Sequence, residues 1–246
     1  MNLPSEQIET YEREGYLVVP GVLSDEEIEG FLAGQHQDQA AGVEFHLRSH
    51  EENTRWKQIA THPHTAGIAA QLIGSPVRLV QSMYLPKSPF QGEKPSPGIA
   101  LHQDTHYLPA EDRSLTACWI AMTDTDGDNG GLCVVPGSHK GELRATHVNK
   151  DDDHVSWEHE QLFRDRSGKE WTEKVYAFQI EDVDDENLLR LSVPRGSAVF
   201  FQGMTIHGSF ANRSPDRARL AFAIHYIAAD SLLLRTDVQD GMLVES

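Results

Sequence analysis

Two histidines and an aspartate are the residues of this 246-residue chain best spaced for chemistry. His102, Gln103 and Asp104 are consecutive, and His207 lies far downstream. On an extended segment, side chains two apart point to the same side. His102 and Asp104 then converge on one point, and Gln103 faces away. Two neutral imidazoles and one carboxylate fill one face of an octahedral ion and leave the opposite face open. That donor set is the facial triad of non-haem Fe(II) oxygenases. It also suits Zn²⁺. An H-x-D tripeptide is a weak signal in a chain with 13 histidines, so its surroundings decide.

Strands must position the three side chains. Residues 99–101 lead into His102 as an extended segment, and a strand over 197–201 precedes His207. Further strands are expected over 16–19, 77–85, 115–122, 132–135, 175–180 and 219–227. Helices are expected over 4–14, closed by Gly15, and over 63–73, stopped by Gly74. Another opens at Ser24, where Glu27 completes a capping-box pattern, and carries Ile28, Phe31 and Leu32 on one face. Residues 37–57 are polar and carry no clear periodicity. Residues 86–98 hold four prolines and read as a mobile loop. Residues 141–174 read as a charged, irregular excursion. Residues 124–131 are a turn that mimics a calcium loop only superficially. Gly127 stands at loop position 4, and Val135 stands where position 12 needs Glu. Short strands after a helical start imply one domain over residues 1–246. Its class is mainly β: a sandwich or jelly roll with N-terminal supporting α-helices.

Hydrophobic residues make up 39% of the chain, enough for a substantial core. The formal net charge is −17, which argues against nucleic acid or an anionic membrane surface as partner. Cys118 and Cys133 stand outside any CxxC pattern and suit a reducing compartment. The N-terminus has no secretory pattern, and no apolar run approaches the ~20 residues a membrane span needs. These features predict a soluble cytoplasmic protein, a monomer or small homo-oligomer, acting on a small molecule.

Three further positions surround the triad. Arg219, Ala221, Ala223 and His225 share one face of a late strand by alternation. The small alanines leave room there, and a guanidinium at the strand end can bind a carboxylate as a fork. Trp119 sits in the apolar strand Thr116-Ala117-Cys118-Trp119-Ile120-Ala121-Met122, where it can wall a pocket.

The chain resembles the phytanoyl-CoA dioxygenase family of Fe(II)/2-oxoglutarate-dependent oxygenases. The resemblance rests on Leu101-His102-Gln103-Asp104-Thr105-His106-Tyr107, Trp119-Ile120-Ala121-Met122, Asn129 through His139, and His207-Gly208-Ser209. It implies a double-stranded β-helix, that is, a jelly roll with helices packed on one sheet. It further implies that His102, Asp104 and His207 bind Fe(II) and form the catalytic centre. Arg219 would take the distal carboxylate of 2-oxoglutarate beside Ser209, with Trp119, Met83 and Gln81 as further cosubstrate contacts. Arg217 remains the alternative anchor, because the spacing to Arg219 differs by one from the family pattern. An N-terminal cosubstrate contact is expected near residues 46–48. Substrate-lining candidates are Tyr84, Lys87, His106, Tyr107 and Trp157. The implied reaction uses O2 to hydroxylate a C–H bond of a small-molecule metabolite, with release of succinate and CO2. Asp104 favours hydroxylation over halogenation, since a halide needs the position a carboxylate fills. Two other readings stand beside it: a zinc-dependent jelly-roll protein and a non-catalytic binding module.

Overall fold

The computed structural model describes residues 1–92, 94–149 and 151–244. Glu93 in the expected loop and Lys150 in the expected excursion lie outside them, as do Glu245 and Ser246. The chain runs α1 (Ser5–Glu14), β1 (Tyr16–Val19), α2 (Asp25–Ala40), α3 (Ser49–Glu52), α4 (Thr54–Ala60) and α5 (Ala66–Ile73). It continues as β2 (Val77–Lys87), β3 (Ile99–His102), β4 (Thr116–Ala121), β5 (Leu132–Val134), β6 (His147–Val148) and β7 (Glu158–Arg164). Then come β8 (Glu170–Tyr176), β9 (Phe178–Gln179), β10 (Leu189–Arg190), β11 (Ala198–Gln202), β12 (His207–Ser209), β13 (Arg219–Ala228) and β14 (Met242–Val244).

Local chemistry sets the helix ends. Gly15 closes α1 in the left-handed region at φ 80°, donating its N–H to the Tyr11 carbonyl. Ser24 and Glu27 form the reciprocal capping box at the start of α2. That helix runs on to Ala40, into the polar stretch that shows no pattern in sequence. The short α3 and α4 follow within the same stretch, and Asn53 caps α4 through its side-chain oxygen. At α5 the expected start moves from residue 63 to Ala66.

Two antiparallel sheets make a mainly β jelly roll. The larger has the strand order β1-β11-β4-β13-β2-β14, and the smaller β10-β5-β12-β3. Neighbours are far apart in sequence, so crossovers stitch the two sheets together. β2 extends past the expected end to Lys87 and includes Pro86. Pro86 has no N–H to donate, and β14 pairs only with Val77–Leu79 of β2, so no ladder bond is lost there. The expected irregular excursion instead contains a regular hairpin, β7 with β8. It buries only Gln161, Phe163 and Val175, and its exposed face carries Leu162 among charged residues, which hides the strand alternation in the sequence. The expected strand over 175–180 is split between β8 and β9. Among the described residues, no helix is long and apolar enough to cross a membrane.

The pleat of the larger sheet sorts its side chains into two cores. Outward-facing Cys118, Ile120, Phe200, Phe222, Ile224 and Tyr226 pack against the helices. Inward-facing Ala117, Trp119, Ala121, Val199, Phe201, Ala221 and Ala223 meet Leu132 and Val134 of the smaller sheet. Phe222 joins the layers, edge-on to Phe31 at 5.2 Å and to Trp56 at 5.1 Å between ring centroids. Phe222→Ala should lower unfolding free energy by about 3–5 kcal/mol, read as a fall in the urea midpoint at unchanged slope. A loss below about 1 kcal/mol would show that the helical layer does not depend on this contact.

Candidate active site

Pairing of β3 with β12 places His207 directly opposite His102, with ring centroids 4.3 Å apart. β12 also pairs with β5, so His207 sits inside the smaller sheet rather than at its edge. After His102 the backbone stays extended at Gln103, and Asp104 opens a 3-10 turn. Gln103 faces away as expected: its Nε2 donates to the Met204 carbonyl at 2.8 Å, and its Oε1 accepts from the Arg144 N–H at 2.8 Å. Those two bonds turn the chain so that Asp104 points back beside His102.

The three side chains are buried, with one ligand atom from each within 4.8 Å of the others. His102 Nε2 lies 3.3 Å from Asp104 Oδ1, and His207 Nε2 lies 3.7 Å from the same oxygen. Each ring donates its Nδ1–H to a backbone carbonyl: His102 to Ala100 at 2.8 Å, His207 to Thr205 at 3.0 Å. The lone pairs of both Nε2 atoms therefore face the common centre. Such outer hydrogen bonds are how metal-binding imidazoles are held in one tautomer. Burial pushes His207 down to about 4, against the pull of Asp104, so its ring is neutral at neutral pH. Burial alone would raise Asp104. The imidazoles around it, with His225 donating directly to Oδ2, outweigh it and hold the carboxyl well below the ordinary range. A divalent first-row ion fits this donor set.

Sequence reading missed one member of the site. His225 Nε2 donates to Asp104 Oδ2 at 2.9 Å, and its Nδ1 accepts from Gln81 Nε2 at 3.1 Å. Asp104 is thereby held with Oδ2 occupied and Oδ1 free toward the histidines. Alternation from Arg219 put His225 on the inner face; only the fold brings that face against Asp104. Gln81 is 6% exposed, and its Oε1 has no partner among the described residues.

The remaining candidates separate into three places. Gln81, Met83 and Tyr107 line a cavity of about 350 Å³ whose floor includes His102 and Asp104. Tyr107 stands edge-on to His102 at 5.4 Å, and its hydroxyl accepts from the Phe178 N–H at 2.9 Å. Trp157 lies at the rim, 5.7 Å from the Tyr107 ring. Tyr84 does not join them. The pleat turns it outward onto the helical layer, 5.8 Å from the Phe31 ring. His106 packs beside Phe178 and donates to the Arg144 carbonyl, outside the cavity lining. Lys87 is also absent from that lining; it lies with Ser209 and Arg219 at the far end of β2 and β13. Near residues 46–48 the cavity receives Leu47, while Arg48 pairs outward with Glu51.

Arg219 and Arg217 are distinct in the structure. Arg219 is 2% exposed, with its guanidinium carbon 5.8 Å above the Trp119 ring. Arg217 lies at the surface in a two-point ion pair with Asp126, at 2.6 and 3.1 Å. Arg217 thus already shares its guanidinium with a carboxylate, whereas Arg219 meets backbone carbonyls.

A sequence model of the family described as phytanoyl-CoA dioxygenase (PhyH) matches residues 11–221. The peroxisomal phytanoyl-CoA dioxygenase of Rattus norvegicus is 29% identical over 93% of this chain and 69% of its own length. Ectoine dioxygenase of Stutzerimonas stutzeri is 26% identical over 92% of this chain and 78% of its own. The crystal structure of the non-heme alpha-ketoglutarate-dependent carbocyclase SnoK from nogalamycin biosynthesis superposes with a TM-score of 0.70 at 26% identity. That match covers 100% of this chain and 94% of the carbocyclase. With a family match across most of its length, the chain belongs to the phytanoyl-CoA dioxygenase family.

Proposed function

We propose that this protein is an Fe(II)/2-oxoglutarate-dependent dioxygenase that hydroxylates a C–H bond of a small, largely apolar metabolite. One observation carries the reading: His102, Asp104 and His207 present three ligand atoms to one point at the floor of a cavity. Iron and 2-oxoglutarate together supply oxidative chemistry, in which dioxygen yields succinate, CO2 and a hydroxylated substrate. The chain's own residues bind and orient. His102, Asp104 and His207 would hold the iron. Arg219 would take the remote carboxylate of 2-oxoglutarate, with Ser209 beside it and Trp119 packed along it. Asp104, clamped by His225, fills the position that a halide would need, which favours hydroxylation. Buried cations opposite the metal ligands have no use in a zinc hydrolase. Every residue invoked comes from one chain, so the reading requires no partner subunit.

The cavity wall supports the substrate class. Tyr107, Trp157 and Phe178 form an aromatic side above the ligands, faced by Ile99, Val155 and Leu108. Such surfaces suit flat or apolar skeletons, at a volume near the lower end for ligand sites. The guanidinium in the lining, Arg235, is forked onto Asp237 at 2.8 Å through both nitrogens. Among the described residues that line the cavity, no lysine or arginine is left without a carboxylate for the phosphates of a coenzyme A thioester.

Anaerobic addition of Fe(II) and 2-oxoglutarate should give a weak visible charge-transfer band, absent in Asp104→Ala and His207→Ala. An undiminished band in either variant would remove the triad assignment. Arg219→Ala should raise the 2-oxoglutarate concentration for half-maximal band by at least about 30-fold, the loss of one partner in a buried charge pair. Arg217→Ala should change it by no more than about threefold, since its ion pair is exposed. Equal effects would name the wrong anchor. Among added compounds, flat aromatic ketones should stimulate oxygen-dependent succinate formation and acyl-CoA thioesters should not. Trp157→Ala should lose that stimulation while keeping the band; the reverse preference would overturn the apolar-substrate reading.

A further inference from the structure

Two buried basic side chains stand side by side at the end of the inner face, and neither meets a carboxylate among the described residues. Lys87 ends β2 and Arg219 begins β13, opposite one another in the antiparallel register. Lys87 is 5% exposed and Arg219 2%. Lys87 Nζ donates to Ser209 Oγ at 2.9 Å and to the Phe210 carbonyl at 2.5 Å, and lies 3.4 Å from the Gly130 carbonyl. Arg219 Nε donates to that same Gly130 carbonyl at 3.0 Å, and Nη1 to the Leu85 carbonyl at 2.7 Å. All these acceptors are uncharged. By contrast, the nearby Arg213 and Arg217 each have an aspartate.

A buried cation without a counter-charge is strongly unfavourable, and a second beside it adds repulsion. The backbone is nevertheless shaped around the lysine. Gly130 adopts φ +90°, and a Cβ there would stand 2.8 Å from Lys87 Cδ. Replacing Gly130 would strain the turn and push the lysine stem aside. The same glycine carbonyl serves both cations, so the turn Asn129-Gly130-Gly131 fixes their spacing.

We propose that Lys87 is a second anchor, alongside Arg219, for the remote carboxylate of 2-oxoglutarate, and that Lys87 gains its proton as the carboxylate arrives. The proposal rests on the cosubstrate assignment above and adds to it a residue and a proton. Burial, and then Arg219, push the Lys87 amine down to about 6. Facing it from β5 is the thiol of Cys133, which burial pushes up to about 11 and leaves uncharged. Ser209, Phe210 and Gly130 add no titrating group. In the free protein at neutral pH, Lys87 is therefore mostly neutral. A carboxylate beside it favours the ammonium, and solvent supplies the proton. Binding then takes up to about one proton between the free and bound values, and affinity falls up to about tenfold per pH unit across that window.

Calorimetric titration of 2-oxoglutarate into the Mn(II)-loaded protein near neutral pH, in phosphate and in Tris, tests this directly. The wild-type heats should differ between buffers by the amount that proton uptake predicts. Lys87→Met should bind about tenfold or more weakly, with heats equal in both buffers, the loss of one charge-assisted bond. Lys87→Arg, charged throughout, should retain affinity within a few-fold yet also lose the buffer difference. Mn(II) affinity, read by electron paramagnetic resonance, should be unchanged in both variants. Wild-type binding with no buffer difference overturns the proposal without needing any variant. So does Lys87→Met binding as tightly as wild type, or keeping the proton uptake. A wild-type protein that takes Mn(II) but no 2-oxoglutarate removes the cosubstrate assignment as well.

Discussion

Strand register between β3 and β12 is the constraint on which this site depends. His207 opposes His102 across that ladder, and a slip of one residue would turn His207 onto the face opposite His102. Several contacts fix the register. Gly208 lets β12 approach β3 closely, since a Cβ there would come 2.8 Å from the Ile99 carbonyl. β5 pairs with the other edge of β12 from Leu132 to Val134. Gln103 ties the exit of β3 to the loop before β12 through the Met204 carbonyl. The ligand geometry is thus a property of the sheet and is not stored in the ligands themselves.

Charge in the interior is arranged around that ladder in two separate groups. At one end Asp104 carries its carboxylate among His102, His207 and His225, where hydrogen bonds compensate for lost water. At the other end Lys87 and Arg219 lean on carbonyls and a hydroxyl. Between them lies a layer of small and aromatic side chains, with Ala221, Ala223 and Trp119 in it. The wider cavity, walled by Tyr107, Trp157 and Phe178, has His102 and Asp104 in its lining.

Much of this was legible because it is local. Capping at Ser24, the stop at Gly15, and the strands beginning at Tyr16, Val77 and Arg219 follow from propensity and period. Less legible were α3 and α4, where short polar helices lack a strong apolar stripe, and the β7–β8 hairpin, which buries few apolar residues and exposes Leu162. Tyr84, a substrate-lining candidate in the sequence, does not line the cavity. A strand's alternation sends adjacent side chains to opposite faces, and Tyr84 takes the helical side.

The sequence by itself determined the donor types, their H-x-D spacing and the face shared by Arg219, Ala221, Ala223 and His225. Those depend only on residue chemistry and the two-residue period of a strand. Tertiary structure alone decided which distant segments meet. It set His225 against Asp104, buried Arg219 while leaving Arg217 at the surface paired with Asp126, and placed Lys87 beside Arg219. Cross-strand opposition depends on the order in which crossovers lay strands side by side. Nothing in the local pattern of either strand records its neighbour.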